Sequence, residues 1–369
     1  MQGVALVGGQ GTRMQPLTFR TPKPLLPLAQ RPLIWHTIER CKAAGIDHLV
    51  LSTGYMPELF ERRLGSSCEG VRLTYVHESE SLGTAGGVKN CEDYLGETFV
   101  VFNGDVLTSL DIGPMIEFHQ ERGAVATIFL TEVEDPSAYG VVPTSATGEV
   151  IDFIEKPEAG EAPTNFINGG VYVLERSVLD RIPTGIACSF EREVFPSLLQ
   201  EGAPVMGYKS QCYWLDVGTP AKYLQAHEDL LSSKLHLQPP GTERDGGIFV
   251  IGDAYISSEA EVIGPVVLGE GAHIGASVSI KGPVSVGPRT RIEGPTEITR
   301  SVFLGDNVVG PGCRIEDAIL GEASEIEGDC VIGELAVIGA SVVIKKGNEL
   351  RRGMRIWPDI VVEESAIRF

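Results

Sequence analysis

Apolar and polar positions along this chain follow two different rhythms, and the change falls near residue 248. In the first, over 1–231, short apolar runs alternate with amphipathic segments. The runs 4–7, 48–51, 71–76, 99–102, 124–130 and 171–174 read as strands. Segment 33–44 spaces its apolar residues for a helix and stops before Gly45, which suits a C-terminal cap. Strand–helix alternation predicts an α/β domain with a mostly parallel, Rossmann-like sheet covered on both faces. Ligands of such sheets bind beyond the carboxyl ends of the strands, where the loops at Gly8 and Asp105 fall.

The stretch 232–247, SSKLHLQPPGTERDGG, is polar, carries Pro-Pro-Gly and reads as a linker. Over 248–369 the rhythm becomes a six-residue period. Ile256, Val262, Leu268, Ile274, Ile280, Val286, Ile292, Ile298 and Leu304 keep it, the register slips around Gly310, and Leu320, Ile326, Ile332, Ile338, Ile344, Leu350, Ile356 and Val362 resume it. Glycine often follows the aliphatic, as in Leu268-Gly269 and Ile274-Gly275. This pattern predicts a parallel β-helix of hexapeptide repeats, with each aliphatic pointing into a triangular prism. A domain of this kind is expected to shape assembly and to contribute no chemistry. His273 within it is expected to be an exposed turn residue and not an acyl-transfer base, because no second catalytic group accompanies it.

A length of 369 residues also favours two domains. The net charge of −20 argues against nucleic acid or anionic membrane as partner, so a polyanionic ligand must be drawn in locally. No apolar run approaches the roughly 18 residues of a membrane span, and no basic, signal-like segment opens the sequence. The seven cysteines are dispersed without CxxC spacing, which suggests reduced thiols in the cytoplasm, mostly buried and not metal-binding.

Candidate chemistry concentrates in VGGQGTRMQPLTFRTPKPLL, residues 7–26. Gly8, Gly9 and Gly11 follow a buried strand and let the backbone turn and approach an anion. Arg13 and Lys23 add two cations, the second on a rigid Pro-Lys-Pro unit. No Gly-Lys-Ser/Thr follows, so this is not a P-loop, and a Pro-rich stretch stands where a dinucleotide fold would start its helix. A strand, a glycine loop and two cations suit a nucleoside triphosphate.

GGQGTR followed by PKPLLPL resembles the signature of the sugar-1-phosphate nucleotidyltransferases, several of which carry a left-handed β-helix. The resemblance runs over nearly the whole chain, to Asn348-Glu349-Leu350-Arg351 and Ile367-Arg368-Phe369. It is closest to two-domain bacterial members that turn GTP and α-D-mannose 1-phosphate into GDP-mannose and pyrophosphate. It implies a nucleotide held by Leu6, Gly8, Gly9, Gly11, Thr12, Arg13, Lys23, Glu78, Gly83 and Thr84, with Arg13 and Lys23 on the triphosphate and the departing pyrophosphate. Asp105, in Asn103-Gly104-Asp105, and Asp216, in Trp214-Leu215-Asp216, match aspartates that hold Mg²⁺ in the family, and Asp105 counts with Arg13 and Lys23 as catalytic. Phe153-Ile154-Glu155-Lys156-Pro157 is similar to the family's FxEKP element, which places Glu155 on sugar hydroxyls and Lys156 on the sugar phosphate. Asn103 and Asn168 are implied on the sugar side, and Gly140 is expected to let the backbone approach the sugar.

Leu82-Gly83-Thr84-Ala85-Gly86-Gly87 is expected to open a helix whose N–H groups meet the nucleotide. Upstream stands Glu78, where relatives using uridine or thymidine nucleotides tend to have Gln. A carboxylate only accepts, and guanine offers two adjacent donors, so Glu78 favours guanine. Two other readings stay open at this point: the same chemistry with glucose 1-phosphate and UTP or dTTP, and a catalytically silent subunit that senses sugar nucleotides. The joint presence of Arg13, Lys23, Asp105, Lys156 and Asp216 argues against silence. A homo-oligomer is expected from the exposed edges of a β-helix.

Overall fold

A computed structural model of the chain describes residues 1–158, 160–235 and 237–368; His236 of the expected linker and the closing Phe369 lie outside the described residues. The chain forms two compact units, one of 1–10 and 34–215, the other of 11–33 and 216–369.

The first unit is built on a ten-stranded sheet. Thr98–Asn103, Gln2–Leu6, His48–Thr53 and Val71–His77 run parallel in that spatial order. All six residues of His48–Thr53 are buried, as expected of a strand covered on both faces. Phe166–Glu175 extends the sheet antiparallel to Thr98–Asn103 and Ala126–Glu132, and Val205–Lys209 pairs parallel to the latter. The strand Phe166–Glu175 starts upstream of the apolar run 171–174 because ladder pairing carries it back through Asn168-Gly169-Gly170. There the register breaks between Asn168 and Tyr172, so the polar Asn168 is accommodated at a bulge. The helix Leu33–Ala43 ends as its sequence suggests. Gly45 takes φ +71°, and the Ile46 N–H donates to the Cys41 carbonyl at 2.8 Å.

In the second unit three parallel sheets coil into the prism of a left-handed β-helix. Leu268 lies over Val286 with a coil of 18 residues between equivalent positions, as three hexapeptides require. Two later coils are one residue shorter: Val286 pairs with Phe303, and Phe303 with Leu320. Phe303 therefore fills the inward position expected of Leu304, and Val309 and Ile315 follow it into the core. The cause lies in the corners. Longer coils turn through Gly264-Pro265 and Gly282-Pro283, whereas the short ones turn through Arg300 and Asp317 at φ +37° and +51°. A side chain in the prism has no water to solvate it, so the aliphatic residue follows the corner and not the count. Thr242–Arg244, inside the stretch expected to be linker, is a strand paired antiparallel with Ile248–Val250.

No helix among the described residues is long and apolar enough to cross a membrane. All seven cysteines are free thiols, and five are buried. His273 lies in a strand and not at a turn, stacked on Tyr255 with ring centroids 4.7 Å apart.

Candidate active site

In the first unit Leu6 and Asn103 end adjacent parallel strands, and Ser52, one residue before the end of a third, stands in the same register line. The glycine loop follows Leu6. The Tyr55 N–H donates to the Gly8 carbonyl at 3.2 Å, and a Cβ on Gly54 would stand 2.9 Å from that oxygen. Gly9 has open space where a Cβ would be. Glu78 reaches into this corner. Its Oε1 accepts from Ser52 Oγ at 2.5 Å and its Oε2 from the Leu82 N–H at 3.1 Å. A Cβ at Gly87 would lie 2.8 Å from Oε1, so glycine makes room for the acid. Glu78 is thus a fixed, partly buried carboxylate with acceptor sites to spare, not a solvated acid.

The helix Gly83–Asn90 begins where the glycine run predicts, but its first N–H groups are engaged from within. Those of Ala85 and Gly86 both donate to the Cys188 carbonyl, at 2.9 and 3.2 Å. Gly83, at φ +69°, would place a Cβ 2.6 Å from the same oxygen. Of the N–H groups expected to meet a nucleotide, those of Ala85 and Gly86 are therefore already satisfied within the chain. Thr84 Oγ donates to Glu191 Oε2 at 2.7 Å.

Glu191 opens a polar chain that the sequence does not reveal. Its Oε1 accepts from Tyr172 Oη at 3.0 Å, and Tyr172 Oη accepts from Asn168 Nδ2 at 2.7 Å. Burial, then the Glu191 charge, pushes the Tyr172 phenol well above its ordinary value, so it stays protonated and donates. Asn168 Oδ1 accepts from the Gly170 N–H at 3.0 Å. Asn103 packs against Gly170, and its buried Oδ1 has no partner among the described residues. Asn103, Asn168 and Thr84 are in this way gathered around Tyr172 and Glu191.

Asp105 follows Gly104, whose N–H donates to the Leu6 carbonyl at 3.0 Å. A Cβ at Gly104 would stand 2.5 Å from that oxygen, so only glycine lets the Asp105 turn approach the central strand. On the far side of the sheet, Gly140 pairs with Glu155. Its missing Cβ would lie 2.8 Å from the Phe153 ring and 3.1 Å from Glu155 Oε2. The glycine thus admits Phe153 and Glu155, a different reason from the expected approach to sugar. Lys156 holds φ +51°, with its N–H on the Tyr139 carbonyl at 3.0 Å and its Nζ 3.8 Å from Glu155 Oε1. A lysine held in the left-handed region at a strand end is sterically constrained. Trp214, to which the sequence assigns no role, donates from Nε1 to the Gly169 carbonyl at 2.9 Å and packs edge-on to Tyr139.

The second unit carries the rest of the signature. Gly11 takes φ +61°, and its carbonyl accepts from Thr18 Oγ at 2.8 Å. Three single turns follow, Thr12–Met14, Leu17–Phe19 and Lys23–Leu25, in place of a helix. Thr12 and Arg13 are exposed, and Lys23 packs its Cβ against Gly11. Gly218 separates Arg13 from Asp216: a Cβ there would lie 3.0 Å from Arg13 Nη2 and 3.1 Å from Asp216 Oδ1. Lys222 Nζ stands 3.7 Å from Asp216 Oδ2.

The nucleotidyltransferases that the signature resembles generally use a divalent metal. Among the described residues no three or more His, Cys, Asp or Glu side chains cluster into a self-sufficient cage. A hard carboxylate oxygen such as that of Asp105 fits a cation that takes one or two protein ligands and completes its shell with phosphate oxygens and water.

A glycine loop at the carboxyl end of a central strand, signature cations and a hexapeptide β-helix together define a nucleotide-handling transferase. Residues 2–233 match the family model described as nucleotidyl transferase, and residues 262–368 that of the GMPPB C-terminal domain. The chain is 38% identical to a mannose-1-phosphate guanylyltransferase of Mycobacterium tuberculosis, over 100% of this chain and 98% of the relative. It is 33% identical to a UTP–glucose-1-phosphate uridylyltransferase of Synechocystis, over 87% of each. Among solved structures, HddC of Yersinia pseudotuberculosis complexed with GMP-PN matches with TM-score 0.54 and 27% identity, over 62% of this chain and 98% of that one. The chain belongs to the nucleotidyl transferase family, in its sugar-1-phosphate nucleotidyltransferase branch.

Proposed function

We propose that this enzyme is a mannose-1-phosphate guanylyltransferase, converting GTP and α-D-mannose 1-phosphate to GDP-mannose and pyrophosphate. The observation that carries the guanine half is Glu78, an acceptor-only group fixed by Ser52 and Leu82 beside Gly8. Guanine presents N1–H and the 2-amino group side by side, whereas uracil and thymine present one donor between acceptors. The full-length relative from Mycobacterium tuberculosis supports the mannose half.

The sugar phosphate oxygen attacks the α-phosphorus and pyrophosphate leaves, so the protein positions two mutually repelling anions and stabilises charge. Arg13 and Lys23 take the triphosphate and the leaving pyrophosphate. Lys156 orients the attacking phosphate, and Glu155, Asn103 and Asn168 hydrogen-bond the sugar. Leu6, Gly8, Gly9, Gly11 and Thr12 line the nucleotide, while Gly83 and Thr84 shape its base side. Asp105 and Asp216 would hold Mg²⁺, which would supply charge neutralisation. In covalent order, 1–231 carries the transfer chemistry, and 248–369 serves assembly of a cytoplasmic homo-oligomer. The Synechocystis relative favours one second reading, uridylyl transfer to glucose 1-phosphate. A competition experiment separates them: equimolar GTP, UTP and dTTP with mannose and glucose 1-phosphates, products resolved chromatographically. GDP-mannose should dominate; a predominance of UDP-glucose would replace the proposal with the second reading.

A further inference from the structure

The loop that carries Arg13 is held by the far end of the β-helix, within the same compact unit. Arg355 lies on Arg355–Ile356, the last strand of its sheet. From there its Nη1 donates to the carbonyl of Gln15 at 2.8 Å and to that of Arg13 at 3.2 Å. These carbonyls close the single turn Thr12–Met14, which is too short to satisfy its own acceptors. Two more contacts run the same way. Arg20 pairs with Asp359 and hydrogen-bonds Ser341 Oγ at 3.3 Å. The ring of Phe19 meets that of Trp357 edge-on, centroids 5.9 Å apart, though both side chains remain about half exposed. Coils some 340 residues away in sequence thus grip 13–20 at three points.

We propose that the terminal coils of the β-helix set the conformation of the Arg13 loop, with Arg355 as a positioning residue for nucleotidyl transfer. This rests on the reading that Arg13 acts on the triphosphate. A single turn carrying an exposed arginine has little to fix it: no regular helix follows it, and the glycine before it adds freedom. A guanidinium donating to two carbonyls of the same turn, those of Arg13 and Gln15, closes off that freedom without touching substrate. The β-helix then does more than assemble subunits, since loss of its last coil would release the catalytic loop.

The test is a double-mutant cycle on the full-length chain. Arg355→Met keeps the aliphatic stem and removes the donors. It should lower kcat/KM for the nucleotide by about ten-fold, the scale of one charge-assisted hydrogen bond. The KM for the sugar phosphate and the thermal midpoint should stay near their original values. Arg355→Lys, which keeps a charged donor, should recover part of the loss. In the Arg13→Met background, Arg355→Met should cost little more, because its effect passes through Arg13. Arg314→Met, which removes a surface pair with Glu316, should leave turnover unchanged. If Arg13→Met cripples the enzyme and Arg355→Met does not, or if the two effects multiply in full, the positioning role is refuted. If Arg13→Met itself leaves nucleotide turnover intact, the reading of Arg13 fails instead. Should Arg355→Met not accumulate as folded protein, Arg355→Gln, with a neutral donor, carries the same comparison.

Discussion

Replacing Glu78 by Gln separates a base-reading carboxylate from a merely structural one. Glu78 offers about four acceptor sites, and Ser52 Oγ and the Leu82 N–H use two. In the variant the amide oxygen can keep Leu82, and the amide nitrogen can face Ser52 Oγ, whose hydroxyl can turn to the Gly87 carbonyl 3.3 Å away. No polar group is left unpaired, so the fold loses only charge assistance, about 1 kcal/mol per bond before discounting for partial exposure. The thermal midpoint should fall by a few degrees, at roughly 2–4 °C per kcal/mol. Toward guanine the change is larger, because a donor now faces donors. The loss of about 1.5–3 kcal/mol corresponds to on the order of ten- to a hundred-fold in kcat/KM. Inosine triphosphate lacks the 2-amino donor and provides the internal control. The native enzyme should prefer GTP over ITP by about ten-fold or more, and Glu78→Gln should collapse that preference. Steady-state pyrophosphate release with each nucleotide gives both ratios. If GTP and ITP lose equally while the midpoint drops, Glu78 only clamps the Gly8 corner and the guanine argument falls.

Asp105→Asn should nearly abolish turnover even at saturating Mg²⁺, since Asn keeps the shape at the Gly104 turn and loses the charge that holds the cation; near-normal pyrophosphate release would remove Asp105 from the metal site. Ile280 is fully buried between Val262 and Ile298 in the prism, so Ile280→Asp should cost several kcal/mol and disrupt the second unit, read by circular dichroism and a lowered midpoint; an unchanged melt would contradict the inward assignment.

What was legible in the sequence was what local pattern controls. The strand before Gly8, the cap at Gly45 and the hexapeptide coil each depend on neighbours within a turn or a rung. Leu304 misled because a corner shortened by one residue shifts every later inward position, and the aliphatic Val302-Phe303-Leu304 run fits either register. Long-range pairing was invisible. Cys188 caps the helix Gly83–Asn90 from about a hundred residues downstream, and nothing local distinguishes its carbonyl from any other. Glu191 and Tyr172 stand in no motif, and only the fold joins them to Thr84 and Asn168. Nothing local in the repeat marks Arg355, yet it meets the carbonyls of Arg13 and Gln15.

The central claim is nucleotidyl transfer from GTP to mannose 1-phosphate, and pyrophosphate release by the purified full-length chain tests it most directly. With GTP, mannose 1-phosphate and Mg²⁺, pyrophosphate should appear in one-to-one ratio with GDP-mannose, cease on chelation and require both substrates. Failure to release pyrophosphate from this pair, or release from GTP without the sugar phosphate, would contradict the account.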